Sequence, residues 1–178
     1  MVEVSLRLEK GEGVRVFGPA RVRVARGLVS VLGAELGEGE EVNIDRYRSY
    51  YVKSLGSSEI EASIGGEGRI EAPSRGEEPY DEWLSIADMV ISSCPSRCRV
   101  AVVGPPESGK TSFTALLANR SLVRGLPTGV VDSDIGQADV GPPGFVSLAM
   151  PDSWVTWLRG LDPVDMRFVG SIEPSHVA

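Results

Sequence analysis

The 178-residue chain is 42% hydrophobic and 24% charged, a composition suited to one ordinary globular domain or two small ones. Its 25 acidic and 18 basic residues give a formal net charge of −7, which excludes a protein that coats nucleic acid by charge alone and leaves room for a partner gripped at its end. No stretch approaches the ~20 apolar residues that span a bilayer, and the amino terminus lacks a signal pattern, so the chain reads as cytoplasmic, with no membrane partner.

Residues 2–72 alternate in short runs such as Val14-Arg15-Val16-Phe17, Ala20-Arg21-Val22-Arg23-Val24, Val42-Asn43-Ile44, Tyr50-Tyr51-Val52 and Ile60-Glu61-Ala62-Ser63-Ile64. A period of two marks half-buried strands. Gly18-Pro19, Gly27, Gly33, Gly37-Glu38-Gly39 and Gly65-Gly66 punctuate them as turns. No helix of useful length fits, so residues 1–72 are expected to form a small antiparallel β-sandwich or barrel-like domain. Arg21, Arg23 and Arg26 read as a solvated sheet face rather than a basic groove.

Pro73-Ser74-Arg75-Gly76-Glu77-Glu78-Pro79 breaks the pattern as a linker. Over residues 80–93, Trp83, Ile86, Ala87 and Val90 recur at helical spacing, which predicts an amphipathic helix with Trp83 on its core face. Residues 73–99 are thus linker and helix. Cys94 and Cys98 stand in C-P-S-R-C, with His176 the one histidine of the chain. A structural zinc site wants four ligands, and a cytosolic disulfide belongs to thermophiles, so the pair reads as ordinary thiols with the disulfide as the thermophile alternative.

Val100-Ala101-Val102-Val103 reads as a buried parallel strand. It runs into Gly104-Pro105-Pro106-Glu107-Ser108-Gly109-Lys110-Thr111-Ser112, a complete P-loop G-x-x-x-x-G-K-[ST]. Such a loop wraps a phosphate chain in backbone N–H groups, and Gly104 and Gly109 supply the conformational freedom. A helix over residues 110–119 would add its amino-terminal dipole. Lys110 is expected to reach the β/γ-phosphates and the Thr111 hydroxyl to hold Mg²⁺.

Arg124-Gly125-Leu126-Pro127 turns the chain into a second expected parallel strand, Thr128-Gly129-Val130-Val131. That strand ends in Asp132-Ser133-Asp134-Ile135-Gly136-Gln137, whose carboxylates are placed to serve a metal. Residues 138–144 form a Gly/Pro-rich loop that could frame a substrate. Phe145-Val146-Ser147-Leu148-Ala149 is a further strand, Trp154 and Trp157 fall in an irregular stretch, and Met166-Arg167-Phe168-Val169-Gly170-Ser171 reads as strand and turn. Residues 100–178 are therefore expected to be a partial P-loop nucleotide-binding domain in an α/β chain. Its incomplete parallel sheet would expose apolar edges and favour a homo-oligomer.

Taken together these motifs resemble the polynucleotide 5′-hydroxyl kinases, the family that includes a pre-mRNA cleavage subunit, an rRNA-processing kinase and archaeal relatives. The resemblance rests on Gly27-Leu28-Val29-Ser30-Val31-Leu32-Gly33-Ala34-Glu35-Leu36, which looks like the β-domain signature, on residues 104–112 and 132–137, and on Gly170-Ser171-Ile172-Glu173-Pro174. Gly18-Pro19-Ala20-Arg21-Val22 looks closest to the archaeal branch. The resemblance implies ATP and Mg²⁺ as cofactors and transfer of the γ-phosphoryl group to a 5′-hydroxyl end of RNA, with DNA as a further acceptor. It implies Lys110 on the phosphates, Thr111, Asp132 and Asp134 at the metal, Asp132 as the base, and Gln137, Gly170 and Ser171 toward the substrate. Glu3 matches the family's adenine-side Glu, whereas its β-domain Lys falls at Ser49, between Arg48 and Tyr50. The family's lid, with its arginines, lies downstream of these motifs. Two other readings compete: an ATP-binding scaffold subunit of an RNA-processing complex, and a partner-switching P-loop ATPase or GTPase, the latter weakened because no guanine-reading motif is visible.

Overall fold

The computed structural model describes residues 1–74, 77–94 and 97–173, which divide into two compact units, Met1–Ser85 and Ile86–Ala178. Arg75 and Gly76 of the expected linker, Pro95 and Ser96 between the cysteines, and Pro174 and His176 lie outside the described residues.

The first unit contains β1 (Val2–Leu8), β2 (Gly13–Phe17), β3 (Ala20–Arg26), β4 (Val29–Val31), β5 (Ala34–Leu36), β6 (Glu41–Ile44), β7 (Ser49–Ser54), β8 (Ser58–Ile64) and β9 (Arg69–Glu71). They form two antiparallel sheets of order β1-β8-β3-β6 and β5-β4-β7-β2-β9. The alternation read from the sequence is the alternation of burial, with every second residue of β6, β7 and β8 inside. Val16, Val22, Val24, Val52, Ile60 and Ala62 are at most 1% exposed, and burying a Val or Ile side chain stabilises by about 1.5–3 kcal/mol.

On the outer face, Arg7, Arg21 and Arg23 meet Glu59, Glu41 and Glu61 at 3.7, 3.8 and 3.2 Å. The arginine alternation is thus a solvated, carboxylate-paired surface.

The run 27–36 folds into the hairpin β4–β5. Val31 pairs with Ala34, leaving Leu32 and Gly33 as a two-residue loop with φ of 48° and 79°, the left-handed pair that fits the twist of a tight hairpin. A leucine there costs about 1–2 kcal/mol, offset by burial of its side chain. The Tyr80 hydroxyl braces the turn, lying 2.8 Å from Ser30 Oγ and accepting from Gly33 N–H at 2.9 Å.

Helix α1 (Tyr80–Ser92) matches the helical spacing, although Ile86 of the expected stripe is exposed while Ala87 and Ile91 are buried. In the second unit, Asp88 of α1 accepts from Arg120 and pairs with Arg124, both at 3.0 Å, on α2 (Lys110–Val123). Three strands follow, β10 (Val130–Asp132), β11 (Phe145–Ala149) and β12 (Pro163–Phe168). A 3₁₀ turn at Leu158–Gly160 interrupts the irregular stretch before β12.

Three expectations fail in this unit. The strands form an antiparallel sheet of order β10-β11-β12 rather than a parallel one. The connections from β10 to β11 and from β11 to β12 hold no α-helix, so the chain reverses, whereas parallel neighbours need a crossover. Residues 100–103 form no strand, and Val100 and Val103 are 46% and 86% exposed. A β-branched run gives the propensity, but a strand exists only where a neighbour takes its N–H and C=O groups. The cysteines are also not free: Cys94 and Cys98 are joined in a disulfide with Cα atoms 5.6 Å apart, within bridging range. Apolar side chains are exposed on the small sheet, with Val131, Val164 and Phe168 all more than 60% accessible. Among the described residues no helix is long and apolar enough to cross a membrane.

Candidate nucleotide site

The P-loop runs from Gly104 into α2 and is exposed through Ser108. Its curvature is set by positive φ at Glu107 (59°) and Gly109 (84°). At Gly104 a Cβ would sit 2.7 Å from Ser108 Oγ, so the serine side chain would have to turn away. Gly109 is the helix cap and makes no side-chain hydrogen bond, so the first N–H groups of α2 are not taken by a capping side chain, as an anion site requires. The Lys110 ammonium bends back to donate to Pro105 O at 2.8 Å. Pro106 and Ser112 complete the segment, with Ser112 half-buried on α2.

Asp132 closes β10, and its carboxylate gathers the loop that follows. Oδ1 accepts from Asp134 N–H at 3.0 Å, and Oδ2 from Asp139 and Val140 N–H at 2.6 and 2.9 Å. Asp134 is exposed, and its Oδ1 accepts from Gly136 and Gln137 N–H at 3.2 and 2.9 Å. This is the Asx-turn chemistry of short acidic side chains, repeated twice in succession.

The P-loop threonine is hydrogen-bonded to a third acid of the same loop. Thr111 Oγ1 donates to Asp139 Oδ2 at 3.0 Å, and Arg159 Nε donates to Asp139 Oδ1 at 2.9 Å. The Arg159 guanidinium in turn lies 5.3 Å from the Trp157 ring centroid. Asn119, fully buried on α2, fixes this stretch: its Nδ2 donates to Val155 O and its Oδ1 accepts from Val155 N–H, both at 2.8 Å. Asp139, Arg159 and Asn119 were not picked out from the sequence. The signal for Asp139 was the third acid in D-S-D-I-G-Q-A-D; Arg159, twenty positions further along, had none.

Gly170 and Ser171 border an open cleft of about 400 Å³ with Pro143, Gly144, Phe168 and Ile172. The acidic turn reaches this cleft: Gly144 N–H donates to Ile135 O at 2.8 Å, and a Cβ on Gly136 would lie 2.9 Å from Ile172 O. Thus the P-loop, the 132–140 turn and the 170–172 segment form one connected layer. Gln137 is exposed on it, its N–H held by Asp134. In the other unit Glu3 accepts from Ser63 Oγ at 2.7 Å on β1 and Ser49 accepts from Arg15 on β7, so these two positions stand in different sheets.

Residues 104–178 match the family model for the P-loop of the mRNA cleavage and polyadenylation factor CLP1. The chain is also 39% identical over 100 residues to a polyribonucleotide 5′-hydroxyl-kinase of Pyrococcus horikoshii, a match covering 56% of this chain and 27% of that protein. It is thus similar, over part of their length, to the polyribonucleotide 5′-hydroxyl-kinases and to CLP1. The family resemblance read from the motifs therefore holds. A CLP1 homologue of Arabidopsis thaliana is 28% identical over 181 residues, covering 94% of this chain and 38% of that protein. Among solved structures, the wild-type Clp1p–Pcf11p complex contains a chain that superposes with a TM-score of 0.60 at 18% identity, over 86% of this chain and 39% of that one; this is a likeness of fold. The chain thus spans well under half the length of the relatives it matches.

Mg²⁺ takes hard oxygen ligands and keeps several waters. The Thr111 hydroxyl, with the Asp134 carboxylate exposed on the same layer, supplies oxygen donors of that kind. Among the described residues no group of three or more His, Cys, Asp or Glu is placed to hold a metal ion.

Proposed function

We propose that this chain is the nucleotide-holding part of an ATP-dependent polynucleotide kinase that transfers the γ-phosphoryl group to the 5′-hydroxyl end of RNA, with DNA as a second acceptor. The observation that carries the reading is the connected layer from the P-loop through the acidic turn to the 170–172 cleft, in a chain whose archaeal relatives are polyribonucleotide 5′-hydroxyl-kinases. Phosphoryl transfer asks the protein for positioning and charge stabilisation more than for covalent chemistry. Backbone N–H groups of the loop from Glu107 to Ser112, past the two prolines that carry none, cradle the phosphates. The Lys110 ammonium, held at the loop by Pro105 O, exchanges that carbonyl for phosphate oxygen. Thr111 would hold Mg²⁺, which when bound neutralises charge on the β- and γ-phosphates.

The acceptor hydroxyl must lose a proton, and a positioned carboxylate contributes about 10²- to 10⁴-fold. Asp132 commits both oxygens to three backbone N–H groups and acts by holding the loop. Asp134 is exposed and engages the backbone through Oδ1, so we assign the base role to Asp134 and the shaping of the site to Asp132. Gln137, Gly170 and Ser171 then line the approach of the 5′ end.

The test is transfer of labelled γ-phosphate from ATP·Mg²⁺ to a 5′-hydroxyl RNA oligonucleotide, with Lys110→Ala and Asp134→Ala as controls. Transfer lost in both variants supports the reading. ATP binding that depends on Lys110, with no transfer to RNA or DNA, would replace it with a scaffold that holds nucleotide without turnover.

A further inference from the structure

We infer that Asp139, clamped by Arg159, is a positioning residue for the P-loop threonine. It takes the Thr111 hydroxyl proton in a hydrogen bond and so turns the oxygen lone pairs of Thr111 toward a phosphate-bound divalent cation. The inference rests on the nucleotide reading of the same site and adds two residues, from a loop and a 3₁₀ turn, that the P-loop and D-S-D motifs do not contain.

The argument begins with the hydroxyl. A threonine has one O–H donor and two acceptor lone pairs, and its rotor is free unless something holds the proton. Thr111 Oγ1 lies 3.0 Å from Asp139 Oδ2, and a carboxylate accepts only. The proton therefore points at Asp139 and the lone pairs point away from it. An ionised acceptor makes this bond roughly twice as strong as one between neutral groups, so the rotor is fixed before any cation arrives.

Asp139 is itself held on three sides. Its second oxygen accepts from Arg159 Nε at 2.9 Å, its own N–H donates to Asp132 Oδ2 at 2.6 Å, and its side chain is 21% exposed. Arg159 is fixed in turn by the Trp157 ring beneath it and by the stretch that Asn119 ties to α2 through Val155. Both ends of the clamp are thus anchored to the P-loop helix, Thr111 in its first turn and Asn119 further along. A ligand that stays oriented because its neighbours hold it loses about 10- to 100-fold in metal affinity when such a neighbour is removed.

The experiment is calorimetric titration of ATP into the full chain at a series of Mg²⁺ concentrations, and again in EDTA, for wild type, Asp139→Ala, Asp139→Asn and Arg159→Gln. The expected result is a Mg²⁺ midpoint raised about tenfold or more by Asp139→Ala and less by Arg159→Gln, with ATP affinity in EDTA unchanged. A fold defect would lower affinity in both conditions, so the separation of the two identifies a positioning role. Arg159 is more than half exposed, so its variant keeps the question open to test if the Asp139 variants unfold. Midpoints within twofold of wild type in folded variants would overturn the inference and leave the nucleotide reading intact. Absence of Mg²⁺-dependent ATP binding in wild type would overturn both.

Discussion

Asn119 offers the sharpest test of how the second unit is held together. Its carboxamide is fully buried and makes a matched pair of 2.8 Å hydrogen bonds with the N–H and C=O of Val155. Truncation to alanine leaves both backbone groups without that partner. Stranding a buried polar group costs about 1–3 kcal/mol; Val155 is half-buried, so water recovers part of this, and we take about 1 kcal/mol for each group. The cavity left by the amide adds to it, giving a loss of about 2–3 kcal/mol. Asn119→Leu separates the contributions, because it fills the volume but still strands Val155. Urea unfolding followed by tryptophan fluorescence, with Trp154 and Trp157 in the affected stretch, reads the stability. Hydrogen exchange at the Val155 amide reads the local bond. A loss below about 0.5 kcal/mol, which is the scale of ordinary surface substitutions, together with unchanged protection at Val155, would refute this account of how residues 151–159 are seated.

Tyr80→Phe should destabilise the first unit by about 2–6 kcal/mol, since it strands Gly33 N–H and the buried Ser30 hydroxyl at about 1–3 kcal/mol each; urea denaturation checks it. Gly18→Ala places a Cβ 2.1 Å from Asp45 O and 2.4 Å from Ile44 O, which the backbone must move to accommodate. A loss of about 3 kcal/mol or more is expected at the upper end of overpacking costs, read as a lowered melting temperature. Burial, then the charges of Glu78 and Asp81, raises the Tyr51 phenol above its ordinary value of 10.0. The unfolded chain therefore releases that proton first, and stability falls as pH rises through 10.0 toward the folded value. Tyr51→Phe should flatten this part of the stability–pH curve, and an identical slope in the variant would refute the assignment.

What could be read from the sequence was whatever local pattern decides. The strands of the first unit were visible because alternation along Ile60-Glu61-Ala62-Ser63-Ile64 is also alternation of burial on β8, and the turns fall at glycines that allow them. The P-loop was visible because phosphate binding by backbone N–H groups constrains a contiguous stretch. The direction of pairing in the second unit was not visible, since Val130 and Val131 look the same beside a parallel or an antiparallel neighbour. Nor was the clamp on Thr111 visible. Asp139 and Arg159 meet at 2.9 Å only after the chain between them has run out along β11 and back, and no periodicity records that return. Asp132 was found for its charge, but its job of accepting three backbone N–H groups depends on a loop that the spacing does not draw.

The paired outer face of the four-stranded sheet bears on how a polyanion would meet this molecule. Exposed pairs like Arg23–Glu61 and Arg21–Glu41 contribute about 0–1 kcal/mol to stability. Their larger effect is on what the face withholds. Binding along a nucleic-acid backbone is driven by the counterions that free cations displace, and arginines already matched to carboxylates displace few. Attachment of an RNA strand to this sheet would therefore gain little from low salt, and a strand sliding over it would find few sites at which to pause.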